Sequence, residues 1–249
     1  QAGIGILVVE NLRDELPVLI YWLKQMRVDV IIDKVLGPAH GNWDGLSYGE
    51  VALVFIAHMV MRCTHFLSPV EAWAAQHLTS LSQALGKSVR VQDCTDERLA
   101  VVLSKLGRGG EEELRPGDTI EAELGQHVIR AYALPTETAR IDLTTVSVHH
   151  QPADEEGLMR FGYSKDHRPD LRQFKAMLAS LDPLGVLVGV DVVAGNQADD
   201  GLYVPMLARL RTTLPPSGLL YIGDSKMGAL ATRAYLHASQ NSYLMPLAQ

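Results

Sequence analysis

Ala139-Arg140-Ile141-Asp142-Leu143-Thr144-Thr145-Val146-Ser147-Val148 is the stretch on which the fold turns. Ile141, Leu143, Thr145 and Ser147 alternate with Asp142, Thr144, Val146 and Val148, and β-branched side chains are frequent, so the run predicts a strand. An aspartate is a poor strand former and costs free energy when buried, so Asp142 needs a reason to be there.

Working outward toward the C-terminus, residues 174–181 and 187–193 predict two more strands. They are joined by Asp182-Pro183-Leu184-Gly185, where Pro and Gly suit a tight turn. Residues 199–214 predict a helix with Leu202, Met206, Leu207 and Leu210 on one face, broken by Pro215-Pro216-Ser217-Gly218. Residues 219–222 predict a fourth strand that ends at Gly223-Asp224-Ser225. A helix over 228–238 and a short strand over 243–247 complete the pattern. Three meandering antiparallel strands followed by helix, strand, helix, strand is the order of the ribonuclease H fold, and its parallel additions need crossover helices. The expected class is α/β, with a partial ribonuclease H-like mixed sheet.

In that order the first and fourth strands lie side by side, so Asp142 and Asp224, 82 positions apart, are expected to meet near one edge. Two carboxylates brought together repel unless a divalent cation sits between them. Mg2+ prefers hard oxygens and commonly takes only one or two protein carboxylates. A pair of such ions supports in-line phosphoryl displacement. The residues alone leave alternatives open. Asp224 also suits a helix cap or turn, and Asp142 suits a solvated position on an edge strand. Asp191 is a rival on the third strand, but that strand is expected to be the outer one, which leaves its side chain solvated.

Toward the N-terminus the patterns become mostly helical. Asp14-Glu15-Leu16-Pro17 opens a helix through Leu19, Ile20, Leu23 and Met26. Ser47 with Glu50 forms a capping box ahead of the apolar run 51–57. Ser68-Pro69-Val70-Glu71 forms a second, followed by Trp73, Ala74, His77, Leu78 and Leu81 on one face. Thr95-Asp96-Glu97 starts a third segment that stops at Gly107. Residues 4–9 and 28–32 are strand-like. Arg108 to Glu113 predicts a solvated acidic loop, and 120–132 one more helix. The expected layout is a mostly helical domain over 1–108, a linker and helix over 109–136, and the ribonuclease H-like core over 137–249.

Composition sets outer bounds. Of 249 residues, 47% are hydrophobic and 20% charged, which suffices for a packed core and excludes a disordered or collagen-like chain. Two cysteines, Cys63 and Cys94, make no disulfide framework. No apolar run approaches the ~20 residues that span a bilayer, and no secretion signal is visible, so a soluble cytoplasmic protein without a membrane partner is expected. The net charge of −7 argues against a nonspecific nucleic-acid coat but allows a local basic groove.

Four strings carry a likeness to a known family: Ile141-Asp142-Leu143-Thr144-Thr145-Val146-Ser147; Phe161-Gly162-Tyr163-Ser164-Lys165-Asp166-His167-Arg168-Pro169-Asp170-Leu171; Asp191-Val192-Val193-Ala194-Gly195-Asn196 with Asp199-Asp200; and Tyr221-Ile222-Gly223-Asp224-Ser225-Lys226-Met227. Together they resemble the catalytic core of a bacterial insertion-sequence transposase of the DDE type. The branch is the one whose core carries a β-rich insertion after the second aspartate. The helical first half resembles the domain that precedes this core.

The resemblance implies metal-dependent cleavage and joining of DNA at terminal inverted repeats by a homodimer in a synaptic complex, in the bacterial cytoplasm near the nucleoid. Asp142 and Asp224 match the first and second catalytic, metal-binding aspartates, which would use two Mg2+ or Mn2+ ions in a complete site. The third acidic residue has no counterpart before Gln249, so the chain is expected to be a truncated fragment inactive in strand transfer. A ribonuclease H-like nuclease, or a noncatalytic DNA-binding or self-association remnant, are the alternatives.

Lys165, His167, Arg168 and Arg172, with Arg160 and Lys175 nearby, are expected either to contact DNA phosphates or to form a solvated connection. Lys226 is expected to reach a phosphate or to start a helix. His149-His150 suit a polar loop, because Mg2+ disfavours imidazole. His58, Cys63 and His65 lack a fourth zinc ligand, and a structural role with a buried Cys63 is expected. The helices opened by Ser47 and Ser68 have a helix-turn-helix spacing, yet Arg62 is the single Arg or Lys between Asn42 and Leu85, which favours packing or dimerisation.

Overall fold

The computed structural model describes residues 15–39, 41–107, 115–149, 157–163 and 167–246. The chain divides into two compact units, Gln1–Ile120 and Glu121–Gln249. The expected strand over 4–9 and the acidic loop at 108–113 lie outside the described residues.

The first unit is helical. Helix α1 spans Leu16–Gln25 and buries Leu16, Ile20 and Leu23. Helix α2, Val28–Leu36, replaces the strand expected over 28–32. The β-branched Val-Asp-Val-Ile-Ile run misleads: its buried positions are Val28, Ile31 and Ile32, a helical i, i+3, i+4 spacing. Arg27, in the left-handed region at φ 59°, separates the two helices.

Helix α3, Tyr48–Arg62, is the central element. Ser47 and Glu50 form the expected capping box, with the Ser47 hydroxyl accepting from the Glu50 N–H and the Glu50 carboxylate accepting from the Ser47 N–H at 2.9 Å. Gly49 is required here, since a Cβ would lie 2.2 Å from the Asp29 carbonyl oxygen of α2.

The capping box expected at Ser68 does not form. Chain entry is made instead by the backbone bond from the Val70 N–H to the Leu67 carbonyl, with Pro69 at the cap. The single helix expected to follow is two, α4 (Val70–Gln76) and α5 (Leu78–Leu85). They break at His77, whose ring stacks on Trp73 and whose Nδ1 lies 2.8 Å from the Trp73 carbonyl oxygen. Thr95 caps α6, Asp96–Leu106, which ends at Gly107 as expected. Helix α7, Pro116–Tyr132, begins four residues before the expected position, and the division between the units falls within it.

The second unit is a five-stranded mixed sheet in the order β3-β2-β1-β4-β5. The strands are β1 (Thr138–Val148), β2 (Arg172–Leu181), β3 (Val186–Ala194), β4 (Leu220–Gly223) and β5 (Ser242–Leu244). β1–β2 and β2–β3 pair antiparallel, whereas β1–β4 and β4–β5 pair parallel. This is the α/β class and strand order expected from the sequence. The expected helix over 199–214 is a 3-10 turn, Asp199–Leu202, followed by α8, Tyr203–Leu210. The helix expected over 228–238 is a 3-10 turn, Ser225–Gly228, followed by α9, Leu230–Ala238.

One face of the sheet carries the core. Ala139, Ile141 and Leu143 of β1 pair across with Leu181, Ala179 and Met177 of β2, and all six are buried. Tyr203, Met206, Leu207 and Leu210 of α8 and Leu236 of α9 belong to the same buried cluster. Gly189 of β3 lets α8 approach, because a Cβ there would stand 2.8 Å from Leu210 Cδ2 and 3.3 Å from Met206 Sδ. Burial of a Leu or Met side chain contributes about 1.5–3 kcal/mol, so this cluster is what fixes α8 over the sheet.

Candidate active site

The parallel register of β1 and β4 ends at the pair Ile141 and Gly223. Asp142 and Asp224 are therefore the next residues on two neighbouring strands, and β1 is the central strand of the sheet rather than an edge. Asp142 lies on the open side of β1 with Arg140 and Thr144, its Oδ1 accepting the Leu143 N–H at 2.9 Å. Asp224 is half-buried where β4 gives way to the 3-10 turn.

Asp224 does more than one thing. Its Oδ1 accepts three hydrogen bonds: from the Lys226 N–H at 2.9 Å, the Met227 N–H at 3.3 Å and the Tyr203 hydroxyl at 2.6 Å. The capping role expected as an alternative is thus present, and it leaves one oxygen over. No donor among the described residues reaches Oδ2 of Asp224 or of Asp142.

Tyr203 is fully buried at the start of α8. Burial is the main reason its phenol is pushed far above the ordinary tyrosine range. The hydrogen bond to Asp224 and the charges of Asp224, Asp142 and Asp199 add to it. Three carboxylates thus act on one hydroxyl.

Asp199 does not stand free among them. Lys175, almost completely buried on β2, places Nζ 2.5 Å from Asp199 Oδ1 and 2.6 Å from the Gln197 carbonyl oxygen. This corrects the expectation that Lys175 joins a phosphate-facing cationic group, because its charge is consumed inside the fold. Asp191 is also corrected. It lies on the outer strand as expected, yet its Oδ1 stands 3.6 Å from Arg209 Nη1 rather than being simply solvated.

The remaining expected nucleic-acid contacts are scattered in their chemistry. Arg168 is exposed and paired with Asp170 at 2.7 Å. Arg172 is half-buried, its guanidinium 5.0 Å from the Phe161 ring centroid and Nη1 3.4 Å from the Met159 carbonyl oxygen. His167 is exposed at φ 55°. Lys226 is exposed, two residues from Asp224. Lys165 and His150 lie outside the described residues, and His149 is exposed. Beside Asp224, Ser225, Gly228 and Arg233 line a groove of about 410 Å3 bounded by Tyr243 to Pro246. Sequence reasoning passed over Arg233, Tyr203 and the Lys175–Asp199 pair. The one available signal was Lys175 itself, a charged residue at a core-facing position of a strand.

Among the described residues no group of three or more His, Cys, Asp or Glu side chains is disposed to hold a metal ion. In the first unit His58 is buried against Trp73, whereas Cys63 is exposed at the end of α3, against the expectation of a buried thiol. Helix α3 buries Tyr48, Val51, Leu53, Val54 and His58 among others, so it packs within the first unit. No helix among the described residues is long and apolar enough to cross a membrane.

No family model and no curated protein matches the chain. Among solved structures it is similar to a Mos1 transposase paired-end complex with left transposon end, at 12% identity and a TM-score of 0.32, over 85% of this chain and 62% of that one. It is similar to a pre-cleavage Mos1 transpososome at 10% identity and a TM-score of 0.32, over 84% of this chain and 63% of that one. A Mos1 mariner paired end complex with Mn gives 10% identity and a TM-score of 0.31, over 96% and 79% of the two chains. The chain spans less than two thirds of the length of the first two.

Proposed function

We propose that the second unit is the core of a DNA-processing phosphoryl-transfer enzyme, an insertion-sequence transposase of the DDE type, with Asp142 and Asp224 as its catalytic and metal-binding carboxylates. The observation that carries this is the register of the two central strands, which delivers two aspartates to adjacent positions, each with one oxygen that no donor of the described residues uses. Two carboxylates at neighbouring strand ends, each with an oxygen that no donor of the described residues uses, fit a hard divalent cation such as Mg2+ or Mn2+, which is satisfied with one or two carboxylates and keeps its other positions for water and phosphate. Such an ion supplies positive charge against which a phosphodiester can be displaced in line.

The chain's own residues do the rest. Asp142 and Asp224 hold negative charge where a cation is needed. Lys226, two residues past Asp224, and Arg233, which lines the groove with Ser225, are exposed; Lys165, His167 and Arg168 belong to the connection between β1 and β2, and Arg172 opens β2; we assign both sets to phosphates of the DNA strand. The three-part layout of a helical domain over 1–108, a connection over 109–136 and a core over 137–249 belongs to the same proposal. So do the terminal inverted repeats as ligand, a homodimeric synaptic complex and a bacterial, nucleoid-associated location.

Titration of the chain with Mn2+, followed by paramagnetic resonance, tests the carboxylate assignment. Saturable binding that is lost in both Asp142→Asn and Asp224→Asn is expected. Binding unchanged in the two variants overturns it. For the DNA assignment, Lys226→Ala is expected to weaken duplex binding across sequences and to reduce its salt dependence by about one counterion.

A further inference from the structure

We infer that Tyr203 is a positioning residue for Asp224: its buried hydroxyl fixes Oδ1 of the carboxylate and so reserves Oδ2 for a divalent cation. The inference rests on the metal assignment just proposed. Tyr203 opens α8, where Met206, Leu207 and Leu210 lock the helix onto the sheet, so the phenol has no freedom to turn away. Its 2.6 Å bond joins the two N–H bonds of the 3-10 turn on the same oxygen. Three donors on Oδ1 set the carboxylate plane and leave one oxygen without a donor among the described residues. A tyrosine at this place is not explained by packing alone, since a phenylalanine fills the same volume without bringing a polar atom into a fully buried site.

The neighbouring pair supports the assignment. Asp199 opens the 3-10 turn that leads into Tyr203, and Lys175 neutralises it at 2.5 Å. With that charge cancelled, Asp142 and Asp224 are the carboxylates near Tyr203 still open to a cation. Lys175 therefore keeps a third acid from competing with them for the ion. The hydroxyl stays a donor, so no proton transfer is involved.

The experiment uses the full chain and Mn2+ as the probe, with Asp142→Asn and Tyr203→Phe beside the wild type. Affinity is read by paramagnetic resonance, and the hydration of bound Tb3+ by its luminescence lifetime in H2O and D2O. Tyr203→Phe is expected to keep a cooperative thermal transition, to bind Mn2+ about 10–100-fold more weakly, the usual effect of losing a partner that orients a ligand, and to change the number of waters on Tb3+. Wild-type affinity and hydration in a folded Tyr203→Phe overturn the inference and leave the metal assignment standing. Wild-type affinity in Asp142→Asn overturns the metal assignment itself. Should Tyr203→Phe fail to fold, 4-aminophenylalanine and 4-methylphenylalanine at position 203 are similar in size and differ in the donor. The amino variant is expected to retain affinity and the methyl variant to lose it, and equal affinities overturn the inference.

Discussion

The hydroxyl of Tyr203, on the first turn of α8, donates a 2.6 Å hydrogen bond to Oδ1 of Asp224, which lies just past the end of β4. A helix and a strand that are separate in sequence are thereby tied at one carboxylate. Asp224→Ala removes a cap and leaves a buried phenol without an acceptor. The cap is worth ~1 kcal/mol and the orphaned hydroxyl ~1–3 kcal/mol. Asp224→Asn keeps an acceptor oxygen and is expected to lose less. Urea unfolding of the two variants checks the order, and a larger loss in the Asn variant refutes it.

The proposed cation site also predicts a stability effect. A ligand held by the native state alone stabilises by ~2.7 kcal/mol at a hundredfold excess over Kd. Wild-type melting temperature is expected to rise with Mn2+, and that of Asp142→Asn to stay fixed. An equal rise in both would place the ion elsewhere.

Gly189 gives a purely steric prediction. Its β3 position faces Leu210 and Met206 closely enough that a methyl group must displace α8 or the strand. Gly189→Ala is expected to cost ~1–3 kcal/mol, the range for overpacking a filled core. Restoration by the double variant Gly189→Ala with Leu210→Val, read by thermal unfolding, identifies Leu210 as the obstruction. An unaltered Gly189→Ala would show the contact to be slack.

His58 predicts a pH dependence. Burial, with the charge of Arg62 adding to it, holds the imidazole below its ordinary value. Its Nδ1 has no hydrogen-bond partner among the described residues. The unfolded chain then takes up the proton first as pH falls, so stability is complete above ~6.5 and declines from there through the folded value. His58→Leu is expected to flatten the fall in melting temperature between pH 7 and pH 5. Parallel curves for the two proteins would exclude His58 as the cause.

These contacts mark the limit of what the sequence discloses. The alternation around Asp142 and the turn at Gly223-Asp224 made the strand order legible, and with it the adjacency of the two aspartates, because period and turn chemistry are local properties. Val28 to Ile32 misled for a local reason as well, since β-branched residues at i, i+3 and i+4 serve a helix when tertiary burial demands it. Ser68 failed as a cap because the backbone turn from Leu67 supplied the entry bond. The contacts of Tyr203 and Asp199 were invisible for a different reason. Their partners, Asp224 and Lys175, lie more than twenty positions away, and only the crossover between β3 and β4 brings them into contact.

The Lys175–Asp199 pair yields the last prediction. Both side chains are largely withdrawn from water, so removing one charge strands the other. Lys175→Met is expected to cost ~3–5 kcal/mol, and Asp199→Asn a comparable amount, whereas the double variant recovers most of the loss, because a buried pair replaced as a unit is often neutral. The double-mutant cycle measured by chemical unfolding gives the coupling directly. Additive losses would mean that the two charges are solvated independently. The same variants separate structure from recognition: if Lys175 touches no phosphate, the salt dependence of DNA binding by the double variant matches that of the wild type. A slope reduced by about one counterion would return Lys175 to the nucleic-acid surface.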